Sequence, residues 1–245
     1  MQSFIGIIPA RYKSSRFPGK PLCDILGKPM IQRVYEQTIK WEKFDKVYVA
    51  TDSVEIQMSC YANKIPCLMT SPDCKDCIDR AWEASEQISK IGDSSDITYI
   101  IIQGDEPLFN PDTLNITYGH GCINFYTDSL TDKDDPNAVK VVMSQTGKAL
   151  YFSRFSIPYN NSNTRRDGEP ARIYKQIGVY AFSKDMLYAY HTSSESMLEN
   201  AEGVGLNRLL ENDYEIQMRF TPHDSISVDT PEDREKVIEI MEGRL

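Results

Sequence analysis

Phe4, Ile5, Ile7 and Ile8 form a short apolar run, rich in β-branched residues, that stops at Pro9. A run of this kind is the pattern of a strand buried on both faces, so the fold must cover both sides of a sheet. A loop follows directly, with Arg11, Lys13, Arg16 and Lys20 set among Ser14, Ser15 and Gly19. In open α/β sheets ligands bind beyond the C-terminal ends of the strands. Guanidinium forks and free backbone N–H groups match phosphate oxygens in charge and geometry, so the loop reads as a polyphosphate cradle. A solvated basic loop is the alternative, and the Walker pattern G-x-x-x-x-G-K-[ST] is absent.

The rest of the chain alternates strand and helix signals. Strands are expected over 22–26, 46–50, 65–69, 97–102, 136–142, 173–182 and 214–220, with Gly147 turning a hairpin. Helical spacing predicts helices over 30–41, 54–63, 78–88 and 184–190, with a short one after Asn110-Pro111. Asp52 is placed to cap the second of these, and Thr230, Pro231 and Asp233 open a last helix as a capping box. Residues 160–170 are the strongest loop signal, and they separate two strand-like runs without dividing the core. With 245 residues, one α/β domain spanning the chain is expected.

A net charge of -9 disfavours nucleic acid and anionic membranes as partners, so an anionic ligand must meet a local basic patch. The N-terminus lacks the basic and apolar regions of a secretion signal, and no apolar run approaches eighteen residues, so a cytoplasmic protein is expected. Six cysteines in such a length make no disulfide framework. Cys74 and Cys77 form a C-x-x-C without a second ligand pair, and small buried thiols are the expectation there. His120, His191 and His223 fall in no catalytic or metal-ligand spacing.

Gln103-Gly104-Asp105-Glu106-Pro107 follows the buried 97–102 run. A carboxylate at that strand tip can reach a metal ion and phosphates in the crevice, although the same residues also make a turn.

The stretch I-P-A-R-Y-K-S-S-R-F-P-G-K-P-L at 8–22 resembles the N-terminal signature of the sugar-acid cytidylyltransferases, most closely the 3-deoxy-manno-octulosonate cytidylyltransferases. Q-G-D-E-P at 103–107, L-E-N-A-E at 198–202 and S-V-D-T-P at 227–231 extend the similarity. The resemblance implies a Rossmann-like, GT-A-like nucleotidyltransferase fold: a mixed sheet flanked by helices, with a small β arm at about 136–182 for dimerisation. It implies transfer of CMP from CTP to an acidic sugar, with Mg²⁺ as cofactor and a homodimer as the assembly. Pro9, Ala10, Arg11, Ser14, Arg16, Lys20, Arg80, Gln103 and Asp105 would then meet the nucleotide, and Asp105 and Asp229 the metal. Lys20, Arg16, Asp105 and Asp229 would carry catalysis. Arg154, Gln176, Tyr180, Glu202, Gly205 and Leu206 occupy the positions of sugar contacts. Leu150, Phe152 and Ile157 suit a subunit interface, with ordinary core as the alternative.

The chain departs from the family pattern at several points. Asp76-Cys77-Ile78 replaces a Ser-Gly-Thr before Asp79-Arg80, Gln176 stands where a His is usual, and Gly205-Leu206 replaces Glu-Gln. The acceptor could therefore be 3-deoxy-manno-octulosonate, an amino-sugar variant or another acidic molecule, and the alternatives to the reaction are transfer of a different nucleotide or a catalytically idle nucleotide-binding dimer.

Overall fold

In the computed structural model, residues 3–14, 16–89, 97–116, 121–129, 132–159 and 171–244 are described. The expected 160–170 loop and His120 lie outside them. β1 (Ser3–Ala10) is buried along almost its whole length, and its side chains alternate between two apolar layers. Phe4, Ile8 and Ala10 enter one layer, Ile5 and Ile7 the other. β6 (Ile97–Ile102) divides in the same way, with Ile100 and Ile102 on one side and Tyr99 and Ile101 on the other. The unbroken apolar runs therefore record a sheet covered on both faces.

β1 lies between β4 (Lys46–Thr51) and β6, parallel to both, and β5 (Cys67–Met69) extends the sheet beyond β4. Chain order reverses between β1 and β6, and a crevice opens at such a switch point. On the far side of β6, β10 (Tyr174–Ser183) runs antiparallel to both β6 and β7 (Cys122–Thr127), and β11 (Ile216–Phe220) adds parallel to β7. The resulting order is β11-β7-β10-β6-β1-β4-β5, with β8 (Lys140–Met143) and β9 (Ala149–Ser153) branching from β10. β7 has no counterpart among the expected strands: Asn124 and Thr127 are polar and its flanking signals are weak, yet both are fully buried.

One apolar layer packs α1 (Met30–Thr38), α2 (Val54–Ala62) and α7 (Pro231–Met241) on the sheet. The opposite layer packs α3 (Cys77–Ser89), α4 (Lys184–Thr192) and α6 (Leu206–Glu211). Three local expectations are corrected. Ser53, not Asp52, caps α2, its side chain accepting from Ile56 N at 3.2 Å. The 22–26 stretch is no single strand: a 3-10 turn over Lys20–Leu22 leads into a hairpin of β2 (Asp24–Ile25) and β3 (Lys28–Pro29). After Asn110 there is only one 3-10 turn, Pro111–Thr113. In the span 136–182 expected as a dimerisation arm, β10 lies inside the main sheet, and β8 and β9 join that sheet through β10. Thr230 and Asp233 do form the capping box of α7.

α5 (Met197–Glu202) carries a buried ion pair. Glu199 receives Arg208 Nε at 2.7 Å and Nη2 at 2.5 Å, and the guanidinium stacks 4.2 Å from the Tyr190 ring. Arg208 is 2% exposed. Glu199→Ala leaves that buried cation without its hydrogen-bonded partner, with only Asp76 3.9 Å away, and urea unfolding is expected to show a loss of about 2–4 kcal/mol; a loss below about 1 kcal/mol would show that the pair does not hold α5 and α6 together.

Candidate functional site

β1 and β6 deliver Pro9-Ala10-Arg11 and Gln103-Gly104-Asp105 to one crevice. A Cβ on Gly104 would lie 2.6 Å from Pro9 O, so glycine is what allows the two strand ends to approach this closely. The basic loop folds back across the crevice through Gly19, which sits at φ 70° and donates its N–H to Tyr12 O at 3.1 Å. That return places Lys20 Nζ 2.7 Å from Asp105 Oδ2 and 3.1 Å from Asp229 Oδ1. Arg16 reaches the same Asp229 oxygen at 3.0 Å and Asn137 Oδ1 at 3.3 Å. Two backbone contacts hold the acids in place. Val228 N donates to Asp105 O at 2.9 Å, and Asp229 N to Asp233 Oδ2 at 3.0 Å, so the α7 cap also anchors the site.

Burial alone would lower the Lys20 pKa, but the charges and hydrogen bonds of Asp105 and Asp229 outweigh it and raise it above the ordinary lysine value. Arg11 and Lys13 are exposed and, among the described residues, unpaired. Arg80 is 1% exposed behind the crevice, donating to Thr70 Oγ1 at 2.5 Å and facing Asp52 at 3.4 Å. The Asp expected to cap α2 is thus the counter-charge of Arg80. A cavity of about 370 Å³ collects Pro9, Ala10, Arg11, Ser14, Arg16, Lys20, Arg80, Gln103, Asp105 and Asp229, joined by Lys13 and Cys77.

A second cavity of about 320 Å³ adjoins the first and shares Arg11, Arg16, Gln103, Asp105 and Asp229 with it. Arg154, Gln176, Tyr180, Gly205 and Leu206 line it. Glu202 does not: its carboxylate is occupied by Tyr151 OH, Ser153 Oγ and Arg154 N at 2.8, 2.8 and 2.9 Å. It fixes the backbone from which Arg154 projects. Lys140, fully buried, donates to the carbonyls of Asp135, Ala138 and Arg154 at 2.7, 2.8 and 2.6 Å and ties down the same wall. Burial lowers its pKa, against the raising effect of the nearby aspartates.

Asp76, Cys77 and Glu106, which carry no individual site role in the sequence reading, also line these cavities. Asp76 is the helix cap of α3, its Oδ1 accepting from Ile78 N and Asp79 N at 2.8 Å each, and Tyr190 OH donates to its other oxygen. An Asp before a helical run is a cap signal that could have been read. Cys77 accepts from Gln103 Nε2 at 3.2 Å, and burial followed by the Asp76 charge pushes its thiol up to about 12. Cys74 instead faces Glu83 at 3.2 Å, so the C-x-x-C sulfurs have separate partners. Glu106 is 4% exposed, and burial followed by the Asp105 charge pushes its carboxyl up to about 7. No sequence pattern marks it as different in environment from Asp105, because the burial arises from β10 packing above it.

The two cavities can hold a polyanion beside a second, polyhydroxylated molecule, with a pair of carboxylates between them. Among the described residues no group of three or more His, Cys, Asp or Glu forms a ready-made metal cage. Asp105 and Asp229 nevertheless share one cation already, the Lys20 ammonium, and each is about one quarter exposed. That donor pair suits a hard divalent ion that draws its remaining ligands from phosphate and water.

The cytidylyltransferase family model matches residues 5–219. A 3-deoxy-manno-octulosonate cytidylyltransferase of Parabacteroides distasonis is 40% identical, with 100% of each chain covered. The mitochondrial 3-deoxy-manno-octulosonate cytidylyltransferase of Arabidopsis thaliana is 37% identical over 98% of this chain and 83% of that one. An 8-amino-3,8-dideoxy-manno-octulosonate cytidylyltransferase of Shewanella baltica is 37% identical over 94% and 95%. A solved structure of CMP:2-keto-3-deoxy-manno-octonic acid synthetase complexed with CTP superposes with a TM-score of 0.85 at 34% identity, covering 100% of both chains.

The Glu106 environment has a measurable consequence. With its pKa at about 7 when folded, against an ordinary 4.5, the folded chain holds this proton over a window where the unfolded chain has released it. Stability therefore falls as pH rises between those values. In metal-free urea titrations Glu106→Gln should flatten that slope and be the more stable form above pH ~8; equal slopes in both proteins would contradict the assignment.

Proposed function

The chain belongs to the cytidylyltransferase family, and on that premise we propose that it transfers CMP from CTP to 3-deoxy-manno-octulosonate or a close relative, releasing pyrophosphate. The observation that carries this reading is the meeting of the two cavities at Asp105, Asp229 and Arg16. The first holds the exposed cations a triphosphate requires, and the second has room for a sugar acid.

Arg11, Arg16 and Lys20 bind the triphosphate and offset the charge that builds on the departing pyrophosphate. Gly104, without a side chain, leaves the strand ends open to close approach, and Gln103 faces the nucleotide. Arg154, Gln176 and Tyr180 receive the sugar acid in the second cavity and direct its hydroxyl across the shared boundary. The hydroxyl oxygen bonds to the α-phosphorus and gives up its proton to solvent, the α–β anhydride bond breaks, and its electron pair leaves with pyrophosphate. Asp105 and Asp229 would hold Mg²⁺, which when bound supplies positive charge at the α-phosphate and acidifies the attacking hydroxyl. No separate protein base is then required.

Asp105→Asn and Asp229→Asn should each lower turnover by about a thousand-fold or more, the scale of losing a group that stabilises developing charge. Pyrophosphate release from CTP, Mg²⁺ and 3-deoxy-manno-octulosonate measures this, and an Asp105→Asn enzyme with unchanged activity at low Mg²⁺ would refute the assignment. Offering all four nucleoside triphosphates in the same assay tests the base: preference for another nucleotide would replace CTP and trace to Asp76-Cys77-Ile78.

We also infer a homodimer and a cytoplasmic location. Leu150, Phe155 and Tyr159 are 61%, 81% and 86% exposed on and just after the β8–β9 hairpin, an apolar group suited to burial against a second copy. Phe152, by contrast, is fully buried core. Among the described residues no helix is long and apolar enough to cross a membrane. In sedimentation, Leu150→Asp with Phe155→Asp should convert a dimer to monomer; a wild-type monomer at micromolar concentration would remove the assembly from the reading.

A further inference from the structure

Four features meet at the floor of the second cavity. Glu106 Oε2 and Ser225 Oγ are buried, and neither makes a well-formed hydrogen bond among the described residues, although Ser225 lies close enough to Glu106 to act on its carboxyl as a donor. Both residues line the cavity and both are more than nine-tenths buried, at 4% and 8% exposure. An unpaired buried carboxyl is costly, and such groups in folded proteins call for a partner. The third feature is the space that admits the carboxyl. A Cβ on Gly178 would collide with Glu106 Oε1, so only glycine lets it lie against β10. The fourth is the distortion of β10 at this point: its register with β7 shifts between Ile177 and Tyr180. Fully buried Asn124 fills that bulge, donating its amide to Ile177 O at 3.0 Å and Val179 O at 2.8 Å. Bulges of this kind re-aim strand groups beside binding sites.

Lys175 does not satisfy Glu106. Its ammonium is bound to Asp224 Oδ1 at 2.7 Å and Ser225 O at 3.0 Å, holding the Ser225 segment against the cavity wall. What remains is one carboxyl oxygen and one hydroxyl, buried and facing the cavity, with only each other as partners and no well-formed hydrogen bond between them.

We propose that Glu106 and Ser225 form a subsite that binds one non-reacting hydroxyl of the sugar-acid acceptor, so that they are specificity residues rather than members of the phosphate machinery. A sugar hydroxyl both donates and accepts, and it can bridge Glu106 Oε2 and Ser225 Oγ whichever of them carries the proton. Glu106 is chemically an acid like its neighbour Asp105, but it serves the opposite substrate. This inference rests on the reading of the second cavity as the acceptor site.

The test is steady-state pyrophosphate release by the full-length enzyme with Mg²⁺, varying CTP and 3-deoxy-manno-octulosonate separately. Glu106→Ala should raise the acceptor KM by about ten-fold or more, the scale of a lost hydrogen bond to a buried polar group, with the CTP KM unchanged. Ser225→Ala, a smaller change that keeps the measurement available if Glu106→Ala does not fold, should shift the acceptor KM alone by about three- to ten-fold. Acceptor analogues each lacking one hydroxyl provide a readout that a structural role would not move: for one analogue, wild type and variants should have the same kcat/KM. An acceptor KM unchanged in both variants, a CTP KM that rises in parallel, or variant effects equal for every analogue would each overturn the subsite. If wild type turns over the acceptor while the variants match it, the subsite alone fails. If wild type releases no pyrophosphate with any sugar acid, the function reading fails and the subsite with it.

Discussion

Everything at the site depends on one ammonium group placed between two carboxylates that are distant in sequence. Lys20 contacts Asp105 and Asp229 together, and its raised pKa shows that the attraction exceeds the burial cost. Two acids this close would repel each other without a cation between them, so the free site is kept assembled by the loop that also supplies cations toward the first cavity. The arrangement links nucleotide recognition to electrostatic order: a divalent ion entering there would meet oxygens already gathered, not two flexible acids. The backbone contributes equally, since the Val228 N–H to Asp105 O bond fixes the approach of the two segments before any side chain acts.

How much of this was legible depended on whether the physics was local. Phe4 to Ile8 and the 97–102 run announced a two-faced sheet because burial on both sides removes alternation, and the capping box at Thr230 was readable because its partners are three residues apart. β7 was not legible: Asn124 is there to fill a bulge in β10, a requirement set by a strand more than fifty residues later. Asp52 was misread for a related reason. Its capping role was plausible locally, but Ser53 is one residue closer to the helix and Asp52 is needed by Arg80 in α3. At the site, residues at strand tips could be named from sequence, whereas Glu106, Asn137 and Lys140 take their roles from elements folded over them. Glu202 kept its expected neighbourhood but not its expected contact, since three local donors consume its carboxylate.

The departures from the family pattern are easier to understand in space than along the chain. Asp76 stands in the replaced triplet and Gly205 in the replaced Glu-Gln pair, more than a hundred residues apart. In the fold, a Cβ on Gly205 would lie 3.2 Å from Asp76 Oδ2 and 2.5 Å from Tyr190 OH, the hydroxyl that donates to that same oxygen. The carboxylate at 76 and the absence of a side chain at 205 are therefore coupled in space: Tyr190 needs the space that glycine leaves, and Asp76 gives its hydroxyl an acceptor. Arg208, 3.9 Å from Asp76, offsets the added charge.

That linkage bears on how the second cavity chooses its ligand. Asp76, Tyr190 and Arg208 satisfy one another, so this side of the wall presents a finished surface with little unspent hydrogen-bonding capacity. Arg154 likewise has donors committed to the carbonyls of Glu202, Pro136 and Gly203, although a guanidinium with five N–H groups retains some for a carboxylate. The unpaired polar atoms lie instead on the β10 side, at Glu106 and Ser225. Recognition in a buried cavity is sharpest where protein groups lack partners until the ligand arrives, because a ligand without the matching group leaves them unpaired. On the proposed reading of the second cavity as the acceptor site, the polar groups left for a ligand therefore lie toward the bulged strand rather than on the wall at 76 and 205, and the carboxylate pair lies between both cavities.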